Sequence, residues 1–263
     1  MIKLKRRCIP DDFASIQQYW TSELFKLIVQ FGSYSAIPKK EKDVVVNNYN
    51  LTSVKKQLQK TTNGKCSYCE SYIDHVDYPH IEHFFPKSIH PKFTFKWSNF
   101  LLSCGRCNIP KGEFDTKINP FINPYEDNPE EYLCYKELRI TTNPISPDPI
   151  KSNNTIIKCD LKRTSLYRQY SSIRIEFNEI EDELEEIMNE YSSLIQLRAK
   201  ILRVTKILNS LDNLKTLCDW KSQHAGYVRY ITKESLVIEN AIKIINNHLT
   251  NFGFEKNYEL IES

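Results

Sequence analysis

Residues 66–112 of this chain read CSYCESYIDHVDYPHIEHFFPKSIHPKFTFKWSNFLLSCGRCNIPKG and contain two cysteine pairs of equal spacing. Cys66 and Cys69 form the first Cys-x-x-Cys pair, and Cys104 and Cys107 form the second. Two such pairs bring four thiolates together around one tetrahedral zinc ion. The alternative is two unrelated redox or buried pairs, which matched spacing disfavours. Because four thiolates fill the coordination sphere, we expect this zinc to be structural and the catalytic residues to be other side chains.

The residues between the cysteine pairs predict two short strands joined by a long loop. Ile81, Phe84 and Phe85 favour a first short strand that ends before Pro86, and the apolar residues 100–102 favour its return partner. A helix that begins just after Cys104 would contain Pro110, and proline removes a helical hydrogen bond. We therefore expect this helix to be kinked or shortened.

Three side chains in this stretch have the chemistry that phosphodiester hydrolysis requires. His83 can act as the general base, because an imidazole titrates near neutral pH. Glu82 and Asn108 offer hard oxygen ligands for one Mg²⁺ or Mn²⁺. Adjacent residues of an ideal strand point to opposite faces, so a bend near Pro86 is needed to aim Glu82 and His83 at one phosphate.

The order of these motifs resembles a known family. Glu82-His83, Trp97-x-Asn99 and Cys104-x-x-Cys107-Asn108-x-x-Lys111-Gly112 together resemble a zinc-containing HNH endonuclease of the ββα-metal fold. The motifs Cys-x-Tyr-Cys-Glu, Ile-Glu-His-Phe-x-Pro-Lys-Ser and Trp-x-Asn-x-Leu are similar to the PtuB-type effectors of Septu and retron anti-phage systems. Many HNH proteins have histidine where this chain has Asn108, and an amide oxygen favours a hard ion such as Mg²⁺.

The resemblance implies a fold, a function and partners. The fold is α+β, with a zinc-stapled ββα-metal core embedded in a mainly helical chain. Asn99 would orient the base and fix the connecting loop, and Lys111 would neutralise phosphate charge. The function implied is an anti-phage endonuclease that works with a PtuA-like ATPase of the ABC/SMC type. A retron reverse transcriptase and its non-coding DNA are further implied partners. Since the chain has no Walker motif, nucleotide hydrolysis would come from the partner.

Two alternatives to a DNA endonuclease stay open. DNA is the favoured substrate. An RNA nuclease, for instance one that cuts transfer RNA, is the alternative, because ββα-metal chemistry acts on the phosphate and makes no use of the sugar. The other alternative is a non-catalytic zinc module that binds nucleic acid or scaffolds a complex. Such a module would bind nucleic acid without metal-dependent cleavage.

Composition and hydropathy exclude a largely disordered chain and an integral membrane protein. The chain has 263 residues, of which 40% are hydrophobic and 26% charged, so it can form a packed core. No apolar run approaches the roughly 18 residues of a membrane-spanning helix. Pro10, Asp11 and Asp12 follow the basic start, where a signal peptide would be apolar, so we expect a cytoplasmic protein. A net charge of +3 is too small to indicate nucleic-acid binding by itself.

The chain divides into four predicted segments. They are an N-terminal helical segment (1–60), the HNH module with its zinc site (61–122), a proline-rich connector (123–159) with at most short strands, and a C-terminal helical region (160–263) with a possible docking role. A helix is predicted over 10–31, with Gly32 as its stop signal.

In the C-terminal region, the apolar spacing is interrupted near Ser192 and Ser193, which predicts a turn or an irregularity in one long helix. The acidic run 176–190 is either a solvated helix face or a surface for a basic partner. A final helix is predicted from Ser235 to Phe252.

Other histidines and cysteines match no motif position. We interpret His75, His80 and His90 as loop histidines, with His80 the most suited of them to contact substrate. The remaining cysteines are interpreted as small buried or incidental thiols: Cys8, Cys134, Cys159 and Cys218.

Overall fold

A computed structural model describes residues 1–75, 78–251 and 258–261, and this part of the chain is mostly helical with two small sheets. The helices are α1 (Asp11–Phe31), α2 (Lys39–Val46), α3 (Thr52–Thr62), α4 (Gly105–Lys111), α5 (Pro129–Tyr132), α6 (Pro149–Lys158), α7 (Thr164–Ser193), α8 (Leu197–Cys218), α9 (Ala225–Glu234) and α10 (Leu236–Asn251). The strands are β1 (His80–His83), β2 (Phe100–Ser103), β3 (Leu133–Lys136) and β4 (Arg139–Thr142). The predicted mainly helical chain with small sheets is confirmed.

The chain forms two compact units. Unit 1 comprises Met1–Lys136 and Ile140–Arg163, and unit 2 comprises Glu137–Arg139 and Thr164–Ser263. The four-segment organisation with boundaries at residues 60, 122 and 159 stays a prediction.

Helix α1 begins and ends where its sequence pattern predicts. Its apolar side chains Phe13 and Leu24 are completely buried, as expected for one face of an amphipathic helix. The helix ends because Gly32 adopts a left-handed conformation, with φ of +83°. This conformation suits glycine, which has no Cβ to clash with the preceding carbonyl.

Strands β1 and β2 form an antiparallel pair in which His80 faces Ser103 and His83 faces Phe100. The first strand is shorter than predicted, since it ends at His83 and not at residue 85. Phe84 N donates to Asn99 O at 2.9 Å, and Phe85 N bonds to the Asn99 side chain at 2.7 Å. In an antiparallel pair every second residue donates to the partner strand, so the next donor would be residue 86, which is a proline without an N–H.

The N-terminal stretch runs along the residues that lead into β2. The guanidinium of Arg6 donates to the main-chain oxygens of Trp97, Ser98 and Phe100 at 2.8–2.9 Å. The indole of Trp97 donates to Arg7 O at 2.9 Å. These bonds satisfy carbonyls that the short sheet leaves unpaired, and they attach the start of the chain to the β1–β2 pair.

The predicted connector contains more helix than expected. Besides the hairpin of β3 and β4, it includes α5 and the ten-residue α6. Helix α6 begins because the Asp148 carboxylate accepts a hydrogen bond from Lys151 N at 2.9 Å and Pro149 occupies the first turn. Pro149, one of the prolines of the connector, is therefore a helix-start signal and not a mark of irregular structure.

Unit 2 is built on the long helix α7, which packs with α8 and α10. Its buried side chains include Phe177 and Leu184. The chain turns between Ser193 and Leu197, so the interrupted apolar spacing corresponds to a turn between two helices. Helix α10 begins at Leu236, with Ser235 Oγ accepting from Ile238 N at 3.2 Å; Phe252, the predicted last residue, lies outside the described residues.

No helix in the described parts of the chain is long and apolar enough to cross a membrane.

Replacing Gly32 tests how α1 ends. Gly32→Ala should lower the free energy of unfolding by about 1 kcal/mol, because alanine is strained at positive φ. No atom lies within 4 Å of an added Cβ, so the cost would come from the backbone alone. Gly32→Asn is the control and should cost less, since asparagine tolerates this conformation. Urea unfolding measures both, and equal stability of Gly32→Ala and wild type would contradict this account.

Candidate metal centre and active-site cleft

Four cysteine side chains converge at one buried point. The sulfurs of Cys66, Cys69, Cys104 and Cys107 all lie within 4.8 Å of one another, and Cys69 Sγ is 3.8 Å from Cys104 Sγ. Four thiolates at about 2.3 Å from a tetrahedral zinc ion would be about 3.8 Å apart. The donor set and its spacing therefore fit zinc, and the four cysteines can bind one zinc ion.

The backbone around the first pair forms a tight turn that is tied to the sheet. Glu70 adopts a left-handed conformation with φ of +61°, and its N–H donates to Cys66 O at 2.9 Å. Ser67 N donates to Leu102 O of β2, also at 2.9 Å. The first cysteine pair is thereby fixed against the strand that leads to the second pair.

The second pair lies at the start of α4. Cys104 O accepts hydrogen bonds from Cys107 N at 3.1 Å and from Asn108 N at 2.9 Å. The helix is short, as one of the two expected effects of Pro110 would have it: it continues one residue past the proline, to Lys111, and ends at Gly112. Arg163 Nη1 lies 3.5 Å from Cys107 Sγ, where its positive charge offsets the negative charge that thiolates would carry.

The remaining cysteines lie outside this cluster. Cys159 and Cys218 are buried, Cys134 is half-buried and Cys8 is exposed. Burial raises the pKa of the Cys159 thiol, so the thiol stays protonated. Small buried thiols are an adequate description of Cys159 and Cys218.

A cleft of about 490 Å³ lies beside the β1–β2 pair. From β1, α4 and the loop between the strands it is lined by His80, Glu82, His83, Lys87 and Asn108. From the N-terminal helical segment it is lined by Tyr34, Tyr49, Asn50 and Lys55. The structure thus brings three predicted site residues, Glu82, His83 and Asn108, to one cleft.

His83 is buried at the end of β1, and its ring is fixed on several sides. Nε2 lies 2.9 Å from the carbonyl oxygen of Thr94, to which it donates, and this leaves Nδ1 as the proton acceptor. The rings of Tyr49 and Phe100 make edge-to-face contacts with it, with centroids 4.6 Å and 5.1 Å away. Burial, together with the charges of Lys87 and Lys111, lowers the pKa of His83 to about 3. The imidazole is therefore neutral at neutral pH.

Glu82 is buried in an ion pair with Lys111. The Lys111 ammonium contacts Glu82 Oε1 and also donates to His83 O at 3.1 Å. Burial raises the pKa of Glu82, and the charge of Lys111 opposes this effect. Lys111 does not line the cleft, so in this structure it neutralises the carboxylate; contact with a substrate phosphate stays a prediction.

Asn108 meets a histidine that the motif does not include. Its side-chain nitrogen lies 3.1 Å from Nδ1 of His80, the first residue of β1. This bond holds the amide in one orientation and leaves its oxygen available as a ligand for a cation. His80 therefore belongs to the cleft, whereas His90 pairs with Asp115 at 2.6 Å and His75 is exposed.

Asn99 fixes the loop between the strands. Besides accepting from Phe85 N, its amide donates to Phe85 O at 3.0 Å and to Phe93 O at 3.1 Å. Thr94, whose carbonyl binds the ring of His83, directly follows Phe93. Asn99 is buried and does not line the cleft, so its effect on His83 would act through this loop.

The sequence patterns did not predict that the N-terminal segment lines the cleft. Tyr49 and Lys55 lie well before the first cysteine pair, in a segment interpreted only as helical packing. The one available signal was the pair of polar, tyrosine-containing turns that interrupt this helical segment, since functional side chains are often found on such loops.

Comparison with known proteins gives partial matches. No protein-family model matches the chain. A Septu protein PtuB from Bacillus thuringiensis is 42% identical over 81 residues, which cover 30% of this chain and 32% of that protein. A Septu protein PtuB from Bacillus mycoides is 34% identical over 122 residues, covering 35% of this chain and 41% of that protein.

Part of the chain is similar to PtuB proteins. The matches span less than half of either relative, and they agree with the PtuB-type resemblance of the motifs in residues 66–112.

Loss of one sulfur tests the metal centre. Cys66→Ser should lose zinc and melt at a lower temperature, because metal binding to four thiolates is coupled to folding. Cys134→Ser is the control: its sulfur is half-buried outside the cluster, so zinc content and melting should stay close to wild type. Elemental analysis and thermal melting measure the two effects. A Cys66→Ser protein with full zinc content would rule out the four-cysteine site.

Proposed function

We propose that this chain is a metal-dependent HNH-type endonuclease whose ββα-metal core comprises β1, β2 and α4. The observation that supports the proposal is the presence of Glu82, His83 and Asn108 in one cleft beside four convergent cysteines. The motif order in residues 66–112 supports it independently. DNA is the favoured substrate, with RNA as the alternative.

His83 would act as the general base. A base must be unprotonated before the reaction, and burial keeps this imidazole neutral. With Nε2 donating to Thr94 O, Nδ1 accepts a proton from the attacking water. The ring contacts of Tyr49 and Phe100 hold the imidazole in one orientation, which favours a fixed position for the water.

Glu82 and Asn108 would hold Mg²⁺ or Mn²⁺. A carboxylate and an amide oxygen suit a hard cation, and the Lys111 ammonium contacts Oε1 of Glu82. The ion would supply charge neutralisation on the phosphoryl group. A metal ligand must be ionised; burial raises the pKa of Glu82, and the charge of Lys111 opposes this effect and favours the ionised form.

Replacing His83 tests the reaction. His83→Ala should reduce cleavage of plasmid DNA in Mg²⁺ or Mn²⁺ by about 10²- to 10⁴-fold, with zinc content and nucleic-acid affinity near wild type. Asn108→Ala should instead shift the metal response to higher Mg²⁺ concentration. His75→Ala, an exposed histidine outside the cleft, is the control and should cleave normally. Transfer RNA as a second substrate separates the DNA and RNA alternatives.

If His83→Ala cleaves at the wild-type rate, His83 is not the base and the HNH mechanism fails. If the wild type binds nucleic acid but does not cleave it with either metal, alone or with its partner, the non-catalytic zinc module is the better description.

We further propose that the chain acts in a Septu-type anti-phage system together with a PtuA-like ATPase. The names of the two relatives support the system, and the name PtuB implies a PtuA partner. A retron reverse transcriptase with its non-coding DNA stays a prediction from the motif resemblance alone.

Unit 2 supplies a surface on which such a partner could bind. At the turn between α7 and α8, Ile195 is 95% exposed and Leu197 is 57% exposed. Leu202, on the next turn of α8, is 58% exposed. Large apolar side chains grouped in this way are typical of an interaction site. The acidic α7 beside this turn would favour a basic surface on the partner.

Two charged substitutions test this surface. Ile195→Asp combined with Leu197→Asp should weaken co-purification with the PtuA-like ATPase by at least about tenfold, since burying an unpaired carboxylate is costly. Ile145→Asp is the matched control, because Ile145 is also highly exposed, at 86%, but lies in unit 1. Wild-type co-purification of the double variant would exclude the α7–α8 turn as the docking surface.

A further inference from the structure

The cleft is lined by two parts of unit 1 that are distant in sequence, and only one of them carries the HNH motif. The other contributes Tyr34, Tyr49, Asn50 and Lys55, which we call the N-terminal wall. Lys87, from the loop after β1, lines the cleft as well, and its ammonium lies 5.6 Å from the centre of the Tyr49 ring.

The charges that line the cleft favour an anionic ligand. Lys55 and Lys87 are half-buried, and neither pairs with a carboxylate within the described residues. The acidic side chains in the lining are Glu82, whose charge Lys111 neutralises, and Glu113. Two unpaired ammonium groups against one carboxylate give the cleft a net positive charge.

The two lysines lie in a lining that also holds His83. The charge of Lys87 acts on both Glu82 and His83, since it favours the ionised form of the carboxyl and the neutral form of the imidazole. Tyr49, which contacts the ring of His83, belongs to the same wall as Lys55. A phosphate held by these ammonium groups would therefore be close to the base.

The tyrosine hydroxyls add hydrogen-bond donors to this surface. Burial, together with Tyr49 and Glu113, raises the pKa of Tyr34 to about 12. The hydroxyl of Tyr34 is thus fully protonated at neutral pH and can donate to a phosphate oxygen. Ammonium and hydroxyl donors around one cleft match the chemistry of a nucleic-acid backbone.

We infer that the N-terminal wall and Lys87 form a binding subsite for the phosphodiester backbone next to the scissile phosphate. This inference rests on the proposed function, and it assigns to the N-terminal segment a role in substrate binding. Lys55 and Lys87 each neutralise one backbone phosphate, independently of base sequence. Tyr34 and Asn50 supply neutral hydrogen bonds to the same strand.

Salt dependence of binding tests the subsite. Full-length His83→Ala protein is titrated with a labelled single-stranded DNA, its duplex and an RNA of the same sequence, at several salt concentrations. A plot of the logarithm of the association constant K against the logarithm of the salt concentration has a negative slope. Adding Lys55→Gln or Lys87→Gln should reduce the magnitude of this slope by about 0.7 on single strands and about 0.9 on duplex. At about 0.1 M salt this corresponds to about five- to eightfold weaker binding.

Two control variants isolate the effect of the cleft. Lys56→Gln removes an exposed charge from the adjacent residue of α3, which does not line the cleft, and should leave the slope unchanged. Lys55→Arg keeps the positive charge and should restore the wild-type slope. Zinc content and circular dichroism establish that each variant is folded, and wild-type protein without added Mg²⁺ or Mn²⁺ replaces His83→Ala if that variant does not fold.

The outcomes separate this inference from the proposed function. The subsite would be overturned if Lys56→Gln lowered the slope as much as Lys55→Gln does. It would also be overturned if neither Lys55→Gln nor Lys87→Gln lowered the slope, even if the wild type cleaves DNA. A slope that depends on Lys55 and Lys87 in a protein that never cleaves would support the subsite and overturn the endonuclease.

Discussion

The convergence of four cysteine sulfurs on one point links the short strands and the short helix that form the cleft. Strands of four residues and a seven-residue helix bury too little apolar surface to be stable alone. A zinc ion bound by the four thiolates would supply the missing free energy, because ligands that are far apart in the unfolded chain must come together to bind it. Asn108 depends directly on this constraint, since its N–H donates to Cys104 O. Its distance from His80 is therefore set by the metal centre.

Buried charge gives the cleft its second constraint. Glu82 and Lys111 are both almost completely buried, and removing one partner would leave an unpaired charge at a cost of about 3–5 kcal/mol. The same burial keeps His83 neutral next to two positive charges. A neutral imidazole, a carboxyl group paired with an ammonium group and unpaired ammonium groups can coexist in so small a space because each charged group is either paired or open to the cleft. This combination would suit the proton abstraction proposed for His83.

The two compact units differ in the kind of surface they offer. Unit 1 contains the metal centre and a cleft with excess positive charge, whereas unit 2 offers an acidic helix and an exposed apolar turn. The similarity to PtuB proteins covers about a third of the chain. For the remaining two thirds, the inferences about binding depend on the exposure and charge of the side chains themselves.

The sequence by itself determined the features that depend on local spacing. The Cys-x-x-Cys pairs predicted the four-sulfur site, and Gly32 predicted the end of α1. The interrupted apolar pattern near Ser193 predicted a turn or an irregularity, because coordination geometry and helical periodicity act over a few residues. Only the tertiary structure decided which distant groups share the cleft. It brought Tyr49 against the ring of His83, placed Lys55 in the lining of the same cleft and buried Lys111 against Glu82. No local pattern records such contacts, since they arise from the packing of segments that are separated by tens of residues in sequence.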